Sequence, residues 1–256
     1  MIKTGLVSIT FRQLSVEEIV KLVSKAGLEA IEWGGDVHVP HGNVERAKEV
    51  ETLTANAGLE VAAYGSYYRV GCENEEVGSF EGVLETAVAL GAPTIRVWAG
   101  NKGSKEADKK WWNTVIEESN RIATMAESKG IKIAYEYHDN TLTDTDESAI
   151  RLLKEVNHPN IYTYWQPPHS FTVKDREDSI RGVLPWLSNI HVFYWTDSPE
   201  RVRHPISKAK YDWIKYLQIA AEDKEDNYAM IEFVKDDKIE QFLDDAEALK
   251  EIKSLV

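Results

Sequence analysis

Four short stretches of this chain look alike: SKAGLEAIEW, ANAGLEVAAY, ALGAPTIRVW and SKGIKIAYEY. Each carries a glycine, Gly27, Gly58, Gly91 or Gly130, and each glycine opens into an apolar run. A glycine takes up left-handed backbone geometry without a Cβ clash, so it suits the residue that stops a helix. The apolar run after it suits a buried strand. The glycines recur at intervals of 31, 33 and 39 residues. That is the length of one strand–helix unit, and alternating units of this kind build a parallel sheet.

The segments between the strands have helical period. After Ser15, the residues Val16, Ile19, Val20, Val23 and Ala26 share one face, and Ser15 with Glu18 forms a capping box. A last helix after Asp236 and Asp237 carries Ile239, Phe242, Leu243, Ala246, Leu249 and Ile252 at helical spacing. Strand patterns fall near 3–9, 28–33, 60–65, 93–98, 131–136, 160–166, 189–194 and 228–234. Helical segments follow each, the weakest around 207–220. Eight such units in 256 residues predict an α/β fold of the (β/α)8 TIM-barrel class, as a single domain over residues 1–256. No GxGxxG follows the first strand, which argues against a dinucleotide-binding open sheet.

Composition narrows the partners. A net charge of −13 opposes binding to a phosphate backbone, so no nucleic-acid partner is expected. A small polar ligand remains compatible, because a cleft can differ in sign from the whole surface. The single cysteine, Cys72, excludes an intrachain disulfide. No signal-peptide pattern opens the chain, and no apolar run approaches the roughly 18 residues of a membrane helix. The expectation is a cytoplasmic protein with no membrane partner.

Active sites of (β/α)8 barrels lie at the C-terminal ends of the strands. There the expected strands five to eight end on Glu136, Gln166, His191 and Glu232. A carboxylate within an apolar strand is costly unless paired or bound to metal. Two carboxylates, an amide oxygen and an imidazole can converge on one divalent cation, and an oxygen-rich set suits Mn, Mg or Co. The bland alternative is a structural ion pair, with Arg96 a ready partner, and a satisfied core histidine at 191. His38 and His41 in DVHVPHG lie on the loop after strand two, placed to meet substrate or simply to be solvated. His138 lies two residues past Glu136, on the same side of an extended strand. Trp98 is one of several aromatics near strand ends, which stack on sugar faces or merely fill a barrel. Arg69, Arg96, Arg201 and Arg203 could hold an anionic group.

The segments GLEAIEWGGDVHVPHG, IKIAYEYHDN, YWQPPH, NIHVFYW and MIEFV resemble the xylose isomerase-like barrel superfamily, in its sugar phosphate isomerase/epimerase branch. The resemblance covers nearly the whole chain. It implies one metal (Mn, Mg, Co or Zn) held by Glu136, Gln166, His191 and Glu232, with a neutral amide at 166 where that family has an aspartate. It also implies substrate contacts from His169, three residues on, and from Arg201 or Arg203. The apurinic endonucleases of the superfamily need a larger set of histidines and carboxylates than this chain offers.

The expected activity is therefore that of a metal-dependent sugar isomerase or epimerase, in which Glu136 and Glu232 act as the acid–base pair through an enediolate. The expected substrate is a small carbohydrate, bound by His38, His138, His169, Trp98, Arg201 and Arg203. A dehydratase sharing the same proton abstraction, and a sugar-binding barrel with a degraded metal site, are the alternatives. The resemblance also implies a homo-oligomer.

Overall fold

The computed structural model describes residues 1–73, 77–168, 172–197, 200–222 and 226–256. Strands and helices alternate: β1 (Ile2–Val7), α1 (Val16–Ala26), β2 (Ala30–Gly34), α2 (Val44–Asn56), β3 (Glu60–Arg69), α3 (Phe80–Leu90), β4 (Thr94–Trp98) and α4 (Lys109–Glu127). Then come β5 (Lys132–Tyr135), α5 (Asp146–Val156), β6 (Ile161–Trp165), α6 (Val173–Val183), β7 (Leu187–Val192), β8 (Tyr194–Thr196) and β9 (Val202–His204). The chain finishes with α7 (Lys210–Ala220), β10 (Asn227–Ile231) and α8 (Ile239–Lys253). Eight parallel strands close in the order β1-β10-β7-β6-β5-β4-β3-β2. This is the TIM barrel that the repeated units predict. The antiparallel ribbon β8–β9, which no sequence pattern announced, projects from the strand-seven corner.

Local chemistry sets the units. Ser15 Oγ accepts from the Glu18 N–H at 3.2 Å while Glu18 Oε2 accepts from the Ser15 N–H at 2.7 Å, closing the capping box that starts α1. Helix α1 stops on Gly27, with φ of 66°, and α3 on Gly91, with φ of 67°. The other two repeat glycines, Gly58 and Gly130, also have positive φ. A side chain there would strain the turn into the next strand.

Alternation along each strand sorts residues into two layers. In β2, Ile31 and Trp33 face the helices, with Trp33 Nε1 donating to Thr54 Oγ1 of α2 at 3.2 Å. Ala30, Ala62, Ala63, Ala134, Tyr164 and Met230 form a separate buried cluster inside the barrel. Small side chains there leave room for Tyr164. Two residues further along the same strands stand Glu32, Glu136, Gln166 and Glu232. The polar layer is thus the next interior layer toward the C-terminal rim. No helix among the described residues is long and apolar enough to cross a membrane.

Candidate metal and active site

His191, on β7, sits at the centre of the polar layer and has no exposed surface. Its Nδ1 lies 3.0 Å from Gln166 Oε1, 3.4 Å from Glu232 Oε2 and 3.6 Å from Glu136 Oε1. One ligand atom from each of Glu136, His191 and Glu232 falls within 4.8 Å of the others. The four residues picked out at the ends of strands five to eight therefore meet at one point. Main-chain bonds at the rim hold two of them, since the Glu136 N–H donates to Val97 at 3.0 Å and the Glu232 N–H to Val192 at 3.1 Å. Gln166 is held by its other end, Nε2 donating to the Tyr137 carbonyl at 2.7 Å, which turns Oε1 toward His191.

Two more residues complete the layer. Arg96, on β4, donates through Nη1 to Glu136 Oε2 and pairs through Nε with Glu32 Oε1 at 2.8 Å. Trp98 Nε1 also donates to Glu136 Oε2. Arg96 is thus a partner of Glu136, as the ion-pair alternative anticipated, yet that pairing leaves Glu136 Oε1 facing His191. Glu32, fully buried on β2, lies with Oε2 3.5 Å from His191 Nε2. Sequence reading passed over Glu32. Its signal was the one that marked Glu136 and Glu232: a carboxylate inside an apolar run, here Ala30-Ile31-Glu32-Trp33.

The electrostatics fit a dication. Glu32, Glu136 and Glu232 carry three negative charges against one on Arg96, so the layer with a neutral imidazole has two charges to balance. Burial alone would lower the basicity of His191, but Glu232 and Glu32 reverse this and push it up to about 10. The same field that favours a proton on the ring favours a cation beside it. Burial opposes ionisation of Glu232 and Glu32 as well, yet the neighbouring positive charges outweigh it and hold both carboxyls below the usual range. Three oxygen donors and one nitrogen suit Mn, Mg or Co, and also accept Zn. Gln166 in place of a carboxylate leaves the charge balanced.

Above this layer opens a cavity of about 610 Å3, a size suited to a small metabolite. Arg96, Glu136, Gln166 and Glu232 line its floor, and Tyr67, Trp98, His138, Trp195 and Phe233 its walls. Two wall residues that are not glycine take left-handed backbone, Tyr67 with φ of 56° and Phe233 with φ of 51°. Such strain gathers at functional sites. Phe233 is held there by its N–H, which donates to Thr10 Oγ1 at 3.1 Å.

The remaining sequence candidates divide. His138 is on the wall, its ring 4.5 Å from that of Trp98, and its Nδ1 is bonded to the Asp139 carbonyl at 2.8 Å. Arg201 also lines the cavity, with Nε 3.1 Å from Asp197. Arg203 packs behind the wall, over Phe233, and pairs with Asp237 at 2.5 Å. His38 is buried away from the cavity: its ring nitrogens meet Ser8 Oγ at 3.0 Å and the Leu14 carbonyl at 3.1 Å. With both nitrogens engaged, it braces the loop after β2. His41, on the same loop, bonds to the Tyr64 hydroxyl at 2.6 Å. His169 lies outside the described residues. Arg12, which sequence reading did not select, reaches the cavity from the loop after β1, fixed by Asp36 at 2.7 Å and the Tyr67 hydroxyl at 2.9 Å.

Comparison with known proteins identifies the family of the fold. The chain is 27% identical to a 3-dehydroshikimate dehydratase of Bacillus anthracis over 202 residues, covering 74% of this chain and 70% of that protein. It is 21% identical to an inosose dehydratase of Clostridium perfringens over 145 residues, which is 57% of this chain and 43% of that one. Among solved structures, a probable 3-dehydroshikimate dehydratase from Bacillus anthracis superposes with a TM-score of 0.78 at 21% identity, over 97% of this chain and 98% of that one. A D-psicose 3-epimerase from Clostridium cellulolyticum superposes with a TM-score of 0.72 at 15% identity, over 99% of both. A family model described as xylose isomerase-like TIM barrel matches residues 20–252, and the chain belongs to that family.

Proposed function

We propose that the protein is a divalent-metal-dependent enzyme that removes a proton next to the carbonyl of a small polyhydroxylated substrate and then eliminates a β-hydroxyl as water. The observation that carries the reading is the convergence of Glu136 Oε1, Gln166 Oε1 and Glu232 Oε2 on His191 Nδ1 at the floor of a metabolite-sized cavity. A bound dication would polarise the carbonyl and its neighbouring hydroxyl. The two glutamates are not equivalent. Glu136 Oε2 is engaged by both Arg96 and Trp98, which keeps Glu136 an anchored anion. Among the described residues no arginine pairs directly with Glu232, whose Oε2 faces His191 Nδ1 at 3.4 Å, so Glu232 is the carboxylate that accepts the proton from carbon. The freed electron pair moves onto the carbonyl oxygen. Its return forms the carbon–carbon double bond and breaks the β C–O bond. The departing hydroxyl leaves as water with the proton that Glu232 took from carbon, which regenerates the carboxylate, while His138, whose Nδ1–H donates to the Asp139 carbonyl, presents its Nε2 lone pair as an acceptor for a substrate hydroxyl.

The dehydratase outcome is favoured because the curated relative at 27% identity is one. Isomerisation or epimerisation is the second reading, favoured by the presence of two carboxylates, Glu136 and Glu232, that both approach His191 Nδ1, one to remove a proton and one to return it. Mass spectrometry of metal-loaded protein with cyclic keto acids, cyclitol ketones and ketohexoses separates these outcomes. Loss of one water supports the dehydratase, and unchanged mass with a new isomer supports the second reading. Ligand-induced thermal stabilisation without any conversion would overturn both and leave a sugar-binding barrel.

A further inference from the structure

We infer that Glu32 is a positioning residue for the metal ligand His191: its carboxylate holds the Nε2 edge of the ring across the barrel and leaves the Nδ1 lone pair for the cation. The inference rests on the metal-dependent reading above. Strands β2 and β7 are not neighbours in the sheet, so Glu32 and His191 meet over the barrel axis. Both side chains are fully buried, and Oε2 lies 3.5 Å from Nε2. A neutral imidazole carries one proton, and the nitrogen that keeps it is set by the groups around the ring. Here two acceptors compete. Gln166 Oε1, 3.0 Å from Nδ1, favours the proton on Nδ1, which blocks coordination. Glu32 favours it on Nε2, and a full negative charge outbids a neutral amide oxygen.

Glu32 is itself held for this task. Arg96 Nε pairs with its Oε1 at 2.8 Å, while the same guanidinium holds Glu136 through Nη1. Glu32 Oε1 and Oε2, Arg96 Nε and Nη2, and His191 Nε2 are all buried without a well-aligned hydrogen bond. They balance one another as charges, in contact. The pair fits because residue 65 has no side chain. A Cβ on Gly65 would fall 2.7 Å from Arg96 Nη2 and 3.0 Å from Glu32 Oε1. One guanidinium therefore links a ligand, Glu136, to the group that orients another, His191.

The test is Mn(II) affinity of the full chain, measured by competition with a fluorescent chelator, for wild type, Glu32→Gln, Glu32→Asp and Gly65→Ala. A glutamine keeps the shape of Glu32 but has one oxygen. With that oxygen on Arg96, its NH2 faces Nε2 and drives the imidazole proton to Nδ1. The expected result is a 10- to 100-fold weaker Kd for Glu32→Gln, in the range for loss of a carboxylate behind a histidine ligand. Glu32→Asp should recover part of it. The visible spectrum of the Co(II)-loaded Gln variant should show loss of a nitrogen ligand. Gly65→Ala keeps every polar group yet displaces the pair, so it should also weaken Mn(II), and it stands in if the Gln variant fails to fold. A Kd within twofold of wild type in both variants would overturn the role of Glu32 while leaving the metal site standing. Wild type that fails to bind millimolar Mn(II) would remove the metal reading itself, and the role of Glu32 with it.

Discussion

Replacing Arg96 with methionine isolates the electrostatic work of the polar layer. Methionine fills much of the same space without the charge. Arg96 is 2% exposed and lies against Glu32 and Glu136. Removing one partner of a buried ion pair typically costs about 3–5 kcal/mol, because the remaining charge is left buried and uncompensated. Here two carboxylates lose their partner, so the upper part of that range is expected for the metal-free protein. Saturating dication restores much of the balance, since Glu32, Glu136 and Glu232 then face two positive charges instead of one. Binding to the folded state alone adds about 2.7 kcal/mol at a hundredfold excess over Kd. Urea unfolding followed by circular dichroism, with chelator and with 1 mM-scale Mn(II), reads both terms. A loss below roughly 1 kcal/mol in chelator would refute the argument that this pair neutralises the layer. So would a loss that Mn(II) does not reduce.

Other outcomes follow from the same geometry. Glu232→Gln should lower kcat by 10²- to 10⁴-fold, the usual worth of a general base, with the fold retained by circular dichroism; full activity would sink its role. Gln166→Asp should tighten Mn(II) at least about tenfold by adding a charged oxygen, and should destabilise the metal-free protein, because it replaces the amide donor to Tyr137 with a carboxylate. Asp245, on α8, accepts from the Ile206 N–H at 2.8 Å and from Gln241 at 3.0 Å, and burial pushes its carboxyl up to about 6. A carboxyl raised on folding stabilises the protein below its unfolded value, near 4, and loses that contribution as pH rises through 6. Asp245→Asn, which mimics the protonated form, should match wild type at pH 4 and exceed it by roughly 2 kcal/mol at pH 7.5 in urea unfolding. An equal stability difference at both pH values would show that Asp245 does not titrate with folding.

The strand–helix units were legible because each is specified locally. A helical apolar face, a glycine and an apolar run lie within about 30 residues, and the barrel is the closed form such units take. Glu136, Gln166, His191 and Glu232 were legible too. They end consecutive strands, and the alternation along those strands carries them to the same interior layer. What sequence could not give was which residues meet across the barrel axis. Glu32 lies on β2 and His191 on β7, strands with no shared edge, and their contact exists only once the sheet has closed. The loop after β2 shows the converse. His38 has the residue type and position of a substrate contact, yet both ring nitrogens turn to Ser8 and Leu14, because a buried imidazole needs partners and the β1 loop supplies them. Arg12 comes from that same loop and faces the cavity instead. Local pattern determined the scaffold and the ring of strand ends. Only packing over the axis and between loops decided which of those polar groups orient one another, which brace a loop, and which are left to face a substrate.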